Sequence, residues 1–428
     1  MNPRLAPEHP THTRYWVIVF AVLLAILSYI DRVAMSQTAP YIMKDLGLSK
    51  AQMGTIFGAF GLAYALFEIP GGWMGDWLGP RKVLTRIVLW WSTFTALMGW
   101  MWNFTSFWVC QFILGAGEAG GFPNITKAFS VWLPQRERVR AQGILWTAAR
   151  WAGALTAPLV IFTLKYVNWH WAFVLFGLPG FIWAIVFFSW FRDNPKDHPG
   201  VNHAELALLG DAPKSAVGHG NVPWGKLIRS RSVALLWVQY FCLSFPWYFY
   251  ITWLPTYLKE YRHLSPDQIA RYGIVPLFCG GIGCFLSGLM AAKVAKWTGS
   301  VRRSRRLVAC TGFLGASAML TLSINLTDPL WAIAAMGLAS FSNDLVMPPA
   351  WGSCMDIGGK FAGTVSGSMN MMGNLAGFAA PVFGGYILQR TGGDWNVFLY
   401  TMAGIYLLGT FCWPFIDPVT PMEVEKAA

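Results

Sequence analysis

The chain has 428 residues, 55% of them hydrophobic, 16% aromatic and only 12% charged, with a mean hydropathy of +0.43 and a formal net charge of +12. So apolar a composition excludes a soluble globular protein of this length and points to a polytopic membrane protein. The basic excess does not signal nucleic acid, because Lys and Arg fall on alternate connections, the bias that orients membrane proteins, rather than gathering on one face.

In chain order, apolar runs of roughly 20 residues, each long enough to cross a ~30 Å hydrocarbon core as helix, lie near 15–37, 52–74, 83–102, 105–128, 140–163, 168–191, 232–258, 268–293, 306–325, 329–352, 361–388 and 394–415. The expected fold is an all-α membrane protein of twelve transmembrane helices in two pseudo-symmetric six-helix bundles. An N-terminal bundle over 1–191 is followed by a cytoplasmic linker over 192–231, rich in Pro, Gly and charge, and by a C-terminal bundle with a short tail over 232–428. The stretch GGWMGDWLGPRKVLTR of the first half returns, degraded, as SGLMAAKVAKWTGSVRRSRR in the second, and internal repeats meeting at a midplane substrate site are a common transporter plan. With both termini cytoplasmic, roughly 22 basic residues fall inside and about 7 outside. The start of the chain lacks a cleavable leader pattern, so the first run should persist as a helix, and without an organellar address the cell (inner) membrane is the default.

The seven cysteines have neither metal nor disulfide spacing, and the histidines lack ligand spacing, so no metal or cofactor is expected. Absence of HExxH, GxSxG and a GxxxxGK[ST] loop argues against an enzyme or an ATP-driven pump. Charge inside the apolar runs is more telling. Asp31 and Arg32 are adjacent in the first run, Glu118 lies in the run beginning at Phe107, and Arg150 in the run beginning at Ala141. An unpaired charge in hydrocarbon costs several kcal/mol, so such residues mark a pathway for substrate or ions.

Residues 71–82, GGWMGDWLGPRK, closely resemble the 2–3 loop signature of the major facilitator superfamily. YIDR at 29–32, GEAGGFP at 117–123, PQRER at 134–138, WYFYITWLPTYL at 247–258 and DIGGKFAGTVSGSMNMMGN at 356–374 narrow the resemblance to its anion:cation symporter branch, which includes bacterial sugar-acid and aromatic-acid permeases and is similar to vesicular glutamate carriers and sialin. The resemblance implies that Asp31 and Glu118 are protonation sites, that Arg32 binds a substrate carboxylate, and that Tyr29 and Tyr64 lie near the substrate. One position departs from the branch, which usually carries an arginine seven residues before its glutamate, where this chain has Gln111. Gln111 and Glu118, two turns apart, share a helix face, and Arg150 on the next helix is expected to replace the missing cation as a partner of Glu118.

Asp31, Arg32, Glu118 and Arg150 sum to zero charge, so an entering carboxylate leaves the site negative until a proton restores balance. Further substrate contacts are expected from Asn370 and Asn374, one turn apart with Ser366 on the same face, and from Trp247, Tyr248, Trp351 and Trp146, whose rings can stack on a sugar or aromatic acid. Glu68, Asp76, Arg81, Glu137, Arg138 and Asp356, with Arg140, are assigned to a cytoplasmic gate. Asn343 and Asp344 are expected to interrupt the tenth run, and Asp344 is open between a further proton site and a cap. The expected function is proton-coupled symport of a monovalent organic anion by alternating access, acting as a monomer. Sugar acids such as hexuronates or aldonates are preferred, with aromatic or small dicarboxylic acids as the alternative substrates. A transporter-like sensor that binds without moving its ligand is the rival of a different class.

Overall fold

The structure, a computed structural model, describes residues 9–210 and 221–422. Seventeen α-helices are found among the described residues: α1 Thr13–Leu46, α2 Lys50–Leu78, α3 Pro80–Met98, α4 Phe104–Glu118, α5 Gly121–Trp132, α6 Gln135–Leu164, α7 Trp169–Trp190, α8 His203–Leu208, α9 Trp224–Arg229, α10 Arg231–Thr252, α11 Leu254–Glu260, α12 Pro266–Tyr272, α13 Ile274–Thr298, α14 Val301–Asn325, α15 Pro329–Gly358, α16 Ala362–Arg390 and α17 Trp395–Cys412. Polar caps start many of them. Ser49 with Gln52 and Asn103 with Ser106 form capping boxes, and Ser300 and Asp328 accept from first-turn amides, which satisfies donors that lipid could not.

These helices make twelve crossings in two six-helix bundles. Three crossings are broken. At 15 residues α4 is about 22 Å long, too short to cross alone, and it spans with α5 after a break at Ala119–Gly120. Gly120 has φ +84, and a Cβ there would lie 2.6 Å from the Cα of Gly71, so only glycine allows both the backbone turn and the contact with α2. The pairs α10–α11 and α12–α13 form the seventh and eighth crossings. The tenth, α15, runs unbroken through Pro348 and Pro349, so Asn343 and Asp344 do not interrupt it as the sequence suggested.

Leu66, Ile182, Ile185, Phe378 and Phe411 are exposed on the outer surface, as expected of a lipid-facing rim. The two halves meet along α2 with α16, and along α6 with α13 and α15. The start of α1, α8 and the last described residues gather at one end of the bundle, the terminal face. Arg14 of α1 donates to Glu205 of α8 at 2.9 Å, and Met422 N–H donates to the Ile357 carbonyl at 2.8 Å.

Close approach between halves depends on missing side chains. A Cβ at Gly72 would fall on the carbonyl of Gly363, and one at Gly363 on the backbone of α2. Neither obstacle can swing aside. Gly72→Ala is expected to force α2 and α16 apart at the terminal face, lowering stability by about 1–3 kcal/mol and the melting temperature with it. Unchanged melting of the purified variant in detergent would show that the contact is looser than described.

Candidate functional site

Between the halves at mid-depth lies a cavity of ≈ 360 Å³. Tyr29 and Arg32 of α1, Tyr64 of α2, Trp146 and Arg150 of α6 form its N-terminal wall; Tyr240, Trp247 and Tyr248 of α10 with Asn370 and Asn374 of α16 form the opposite one. Ser36 and Ile251, also in the lining, carry it toward the end away from the terminal face. Aromatic walls with few polar groups are typical of sites for small organic molecules.

Arg32 turns away from its neighbour Asp31, because consecutive helical residues point about 100° apart. Its Nε and Nη2 both donate to Oε1 of Glu118, at 2.9 and 2.7 Å, and Ser28 Oγ donates to the same oxygen at 2.6 Å. The Arg32 guanidinium lies 4.7 Å from the Tyr64 ring centroid and 5.3 Å from that of Phe60, a stacking that fixes its plane. Its side chain remains 29% exposed, unlike the buried Glu118. Asp31 is buried behind this pair, facing Thr95 and within electrostatic range of Glu118, and its Oδ1 has no hydrogen-bond partner among the described residues.

The expected Arg150–Glu118 pair is not formed. Sequential order misled here, because α6 packs on α1, α13 and α15, and Arg150 therefore reaches across the interface between the halves. Its Nε donates to Oδ2 of Asp344 at 2.9 Å and its Nη2 to Oδ1 at 3.2 Å, while Asn343 donates to Oδ1 at 2.8 Å. Trp247 covers the guanidinium at 4.1 Å. Asp344 is thus the counter-ion of Arg150. The sequence signal was available, since Asp344 is a lone acid in an apolar run, but its partner was not.

Three more placements differ from expectation. Glu68, assigned to the gate, lies at cavity depth and accepts from Asn370 Nδ2 at 2.8 Å, joining the halves beneath the cavity; counting turns back from Asp76 put it too near the end of α2. Gln111 is buried inside the N-terminal bundle with its amide on the Met98 sulfur at 3.1 Å, and is absent from the cavity wall because, two turns before Glu118 on α4, it lies level with the end of α3 instead of with Arg32. Trp351 is fully buried one layer back, donating to the Tyr240 hydroxyl at 3.1 Å and packing on Trp146 at 5.2 Å. Ser366 is likewise buried, bonded to the Ala362 carbonyl. Tyr240 itself, not singled out in the sequence, lines the cavity.

The terminal face is closed by charge. Asp76 accepts from the amides of Gly363 and Thr364, at 3.2 and 2.7 Å, and from the Thr364 hydroxyl at 2.6 Å, so a carboxylate caps the positive end of α16. Lys127, fully buried and missed in the sequence although it is a charge within an apolar run, pairs with Asp76 at 2.9 Å and donates to the Lys360 carbonyl. Asp356 receives Arg138, Gln135 at 3.0 Å and Arg305 at 2.6 Å. Two expected gate residues stay within one half. Arg81 donates to the Phe188 carbonyl and, through its amide, to Asp193, while Glu137 pairs with Arg14 at 3.0 Å; their positions near α7 and α1 leave them no reach across. Arg140 is exposed.

Arg138–Asp356 and Arg150–Asp344 link the same antiparallel helices, α6 and α15, in the same register. Each partner moves 12 residues from one pair to the next, about 18 Å of helix. Together they form a two-rung ladder from terminal face to cavity. No cluster of His, Cys, Asp and Glu able to hold a metal occurs among the described residues.

Two helical bundles around a charged, aromatic-walled cavity, sealed by ion pairs at the terminal face and lined as far as Ser36 and Ile251 toward the other end, define a membrane carrier. The chain belongs to the major facilitator superfamily, whose family model matches residues 21–381, a family of carriers rather than enzymes. Among its relatives are the probable sulfoacetate transporter SauU of Cupriavidus necator, 35% identical over 97% of both chains, and the probable galactarate/D-glucarate transporter GudP of Escherichia coli, 30% identical over 94% of this chain and 92% of that one. The proton:xylose symporter XylE superposes with a TM-score of 0.75 over 96% of this chain and 98% of that one, at 12% identity, a likeness of fold alone.

Asp356→Asn would leave Arg138 and Arg305 sharing a neutral amide inside the closed face, and breaking a buried pair in this way costs about 3–5 kcal/mol. In a cysteine-free background, labelling of Ala362→Cys by a maleimide applied from the terminal side should rise several-fold with this substitution. Equal labelling rates would show that the Asp356 node does not hold the face shut.

Proposed function

We propose that the protein imports a small organic anion together with protons across the inner membrane, working as a single chain with both termini in the cytoplasm. The observation that carries this reading is Arg32: it is a partly exposed cation of the cavity, held on aromatic faces, with Nε and Nη2 committed to Glu118 and a buried acid, Asp31, behind it. An acidic group arriving at Arg32 competes with Glu118 for the guanidinium. A carboxylate stripped of its counter-ion in a low-dielectric site is costly, and a proton taken by Glu118 or Asp31 removes that cost. Anion and proton then favour one another's binding.

The terminal face is closed while the cavity extends to the other side, an arrangement suited to receiving substrate from outside if the terminal face is cytoplasmic. Sugar acids, preferred from the sequence, are supported by the amides of Asn370 and Asn374 and by Tyr248, which donates to Asn374 at 3.4 Å. Relatives named as D-galactonate and hexuronate transporters support the same class.

Purified protein in liposomes tests the reading. An inward proton gradient should drive accumulation of labelled anion above equilibrium. Asp31→Asn and Glu118→Gln should each lower that accumulation at least tenfold while keeping anion exchange between the two sides. Uptake indifferent to the gradient would remove proton coupling, and binding without any uptake would favour a sensor.

A further inference from the structure

We infer that the transported anion carries two acidic groups, one taken by Arg32 and the other by Arg150. This deepens the proposed function and rests on it.

The two arginines are paired alike, although the Arg32 side chain is 29% exposed and that of Arg150 only 3%. Each spends Nε and Nη2 on a carboxylate, Glu118 in one case and Asp344 in the other. Arg32 has the Tyr64 hydroxyl as a further neighbour, Nη1 of Arg150 donates to no acceptor among the described residues, and both side chains line the cavity. Each guanidinium is also held in plane by an aromatic ring, Tyr64 at 4.7 Å and Trp247 at 4.1 Å. A guanidinium with one edge neutralised and the other free keeps two N–H groups for an incoming oxyanion. Tyr29 and Tyr248 lie within electrostatic range of both cations, so the two positions belong to one chamber.

A second observation points to missing acceptors at the Arg150 end. The indole N–H groups of Trp146 and Trp247, both in the cavity wall, have no hydrogen-bond partner among the described residues. A buried donor left unpaired costs about 1–3 kcal/mol, and Trp247 is the ring that covers Arg150. Oxyanion oxygens supply what these donors lack. Were Arg150 only a packing device, a buried ion pair would be a poor choice, since an apolar pair of similar volume is often as stable.

The two subsites differ in which acid shares the guanidinium charge with the anion. At Arg32 it competes with Glu118, an acid of the same half. At Arg150 it competes with Asp344, an acid of the other half and the upper rung of the α6–α15 ladder. A monoanion docked at Arg32 leaves that rung intact, whereas a dianion spanning both subsites weakens it. The number of acidic groups on the substrate is thereby read by the gate. Relatives at 35% and 30% identity are named for sulfoacetate and for galactarate/D-glucarate, which bear an acidic group at each end.

The test uses the full chain and a matched pair of probes, galactarate and galactonate, which share a carbon skeleton and differ in one terminal carboxylate, with sulfoacetate and acetate as a short pair. Calorimetric binding and competition for uptake in liposomes are read together. Dianions should bind at least tenfold more tightly than their monoanionic counterparts. Arg150→Gln should bring that ratio close to one, its loss falling several-fold more heavily on the dianions than on the monoanions, and Arg32→Gln should weaken all probes. Because Arg150→Gln strands Asp344, the double variant Arg150→Gln/Asp344→Asn, which removes both charges, guards against misfolding and should show the same loss of discrimination. Equal or better binding of galactonate, or an equal loss for both probe classes in the double variant, would overturn the inference while leaving anion transport standing. Failure of every anion to bind the unaltered protein would overturn the transport reading and this inference with it.

Discussion

Every charged group at the centre of this protein must be neutralised locally, because hydrocarbon on the outside and a narrow chamber on the inside offer little solvation. The central basic groups meet that requirement in two ways, whereas the buried acids Asp31 and Glu68 form no ion pair among the described residues. Some pairs close within one half, as Arg32 with Glu118 does, and others close only across the interface, as Arg150–Asp344, Arg138–Asp356 and Asp76 with the first turn of α16 do. Pairs of the first kind are independent of how the halves sit. Pairs of the second kind exist only in the arrangement seen here, so electrostatics and conformation become a single variable.

Glycine sets how close the halves can come and therefore whether those cross-interface pairs form. Gly72 against Gly363 and Gly143 against Gly288 bring backbones into direct contact, a mode of packing in membranes where small residues replace the hydrophobic drive available in water. Carboxylates then reach their partners over hydrogen-bond distances instead of through long, entropically expensive side chains. Asp76 has a short side chain, yet it meets two amides and a hydroxyl of the other half.

Much of this was legible in the sequence. Hydropathy marked all twelve crossings, since a run of roughly 20 apolar residues has few alternatives in a bilayer, and lone charges in those runs marked Asp31, Arg32, Glu118 and Arg150 as interior. Partner choice was not legible. It depends on which helices touch, and α6 faces α15 of the other half rather than the α4–α5 crossing beside it in the chain. Depth was read imperfectly for the same reason: Glu68 is near Asp76 in sequence but sits beside Asn370, a residue 302 positions away. Trp351 shows a further limit, because a tryptophan that contacts a lining residue and one that lines the cavity have the same sequence signature.

The short C-terminal tail has a part in this arrangement that its length conceals. Arg305 of α14 donates to the Pro418 carbonyl at 2.6 Å and pairs with Asp356, while Met422 bonds the backbone of α15 at Ile357, next to Asp356. The tail thus buttresses the acid that Arg138 grips from the other half. Trimming or tagging the chain close to Pro418 would disturb the seal from behind, through a strut instead of through the latch itself, and a conformational bias measured on such a shortened chain would belong partly to the missing strut.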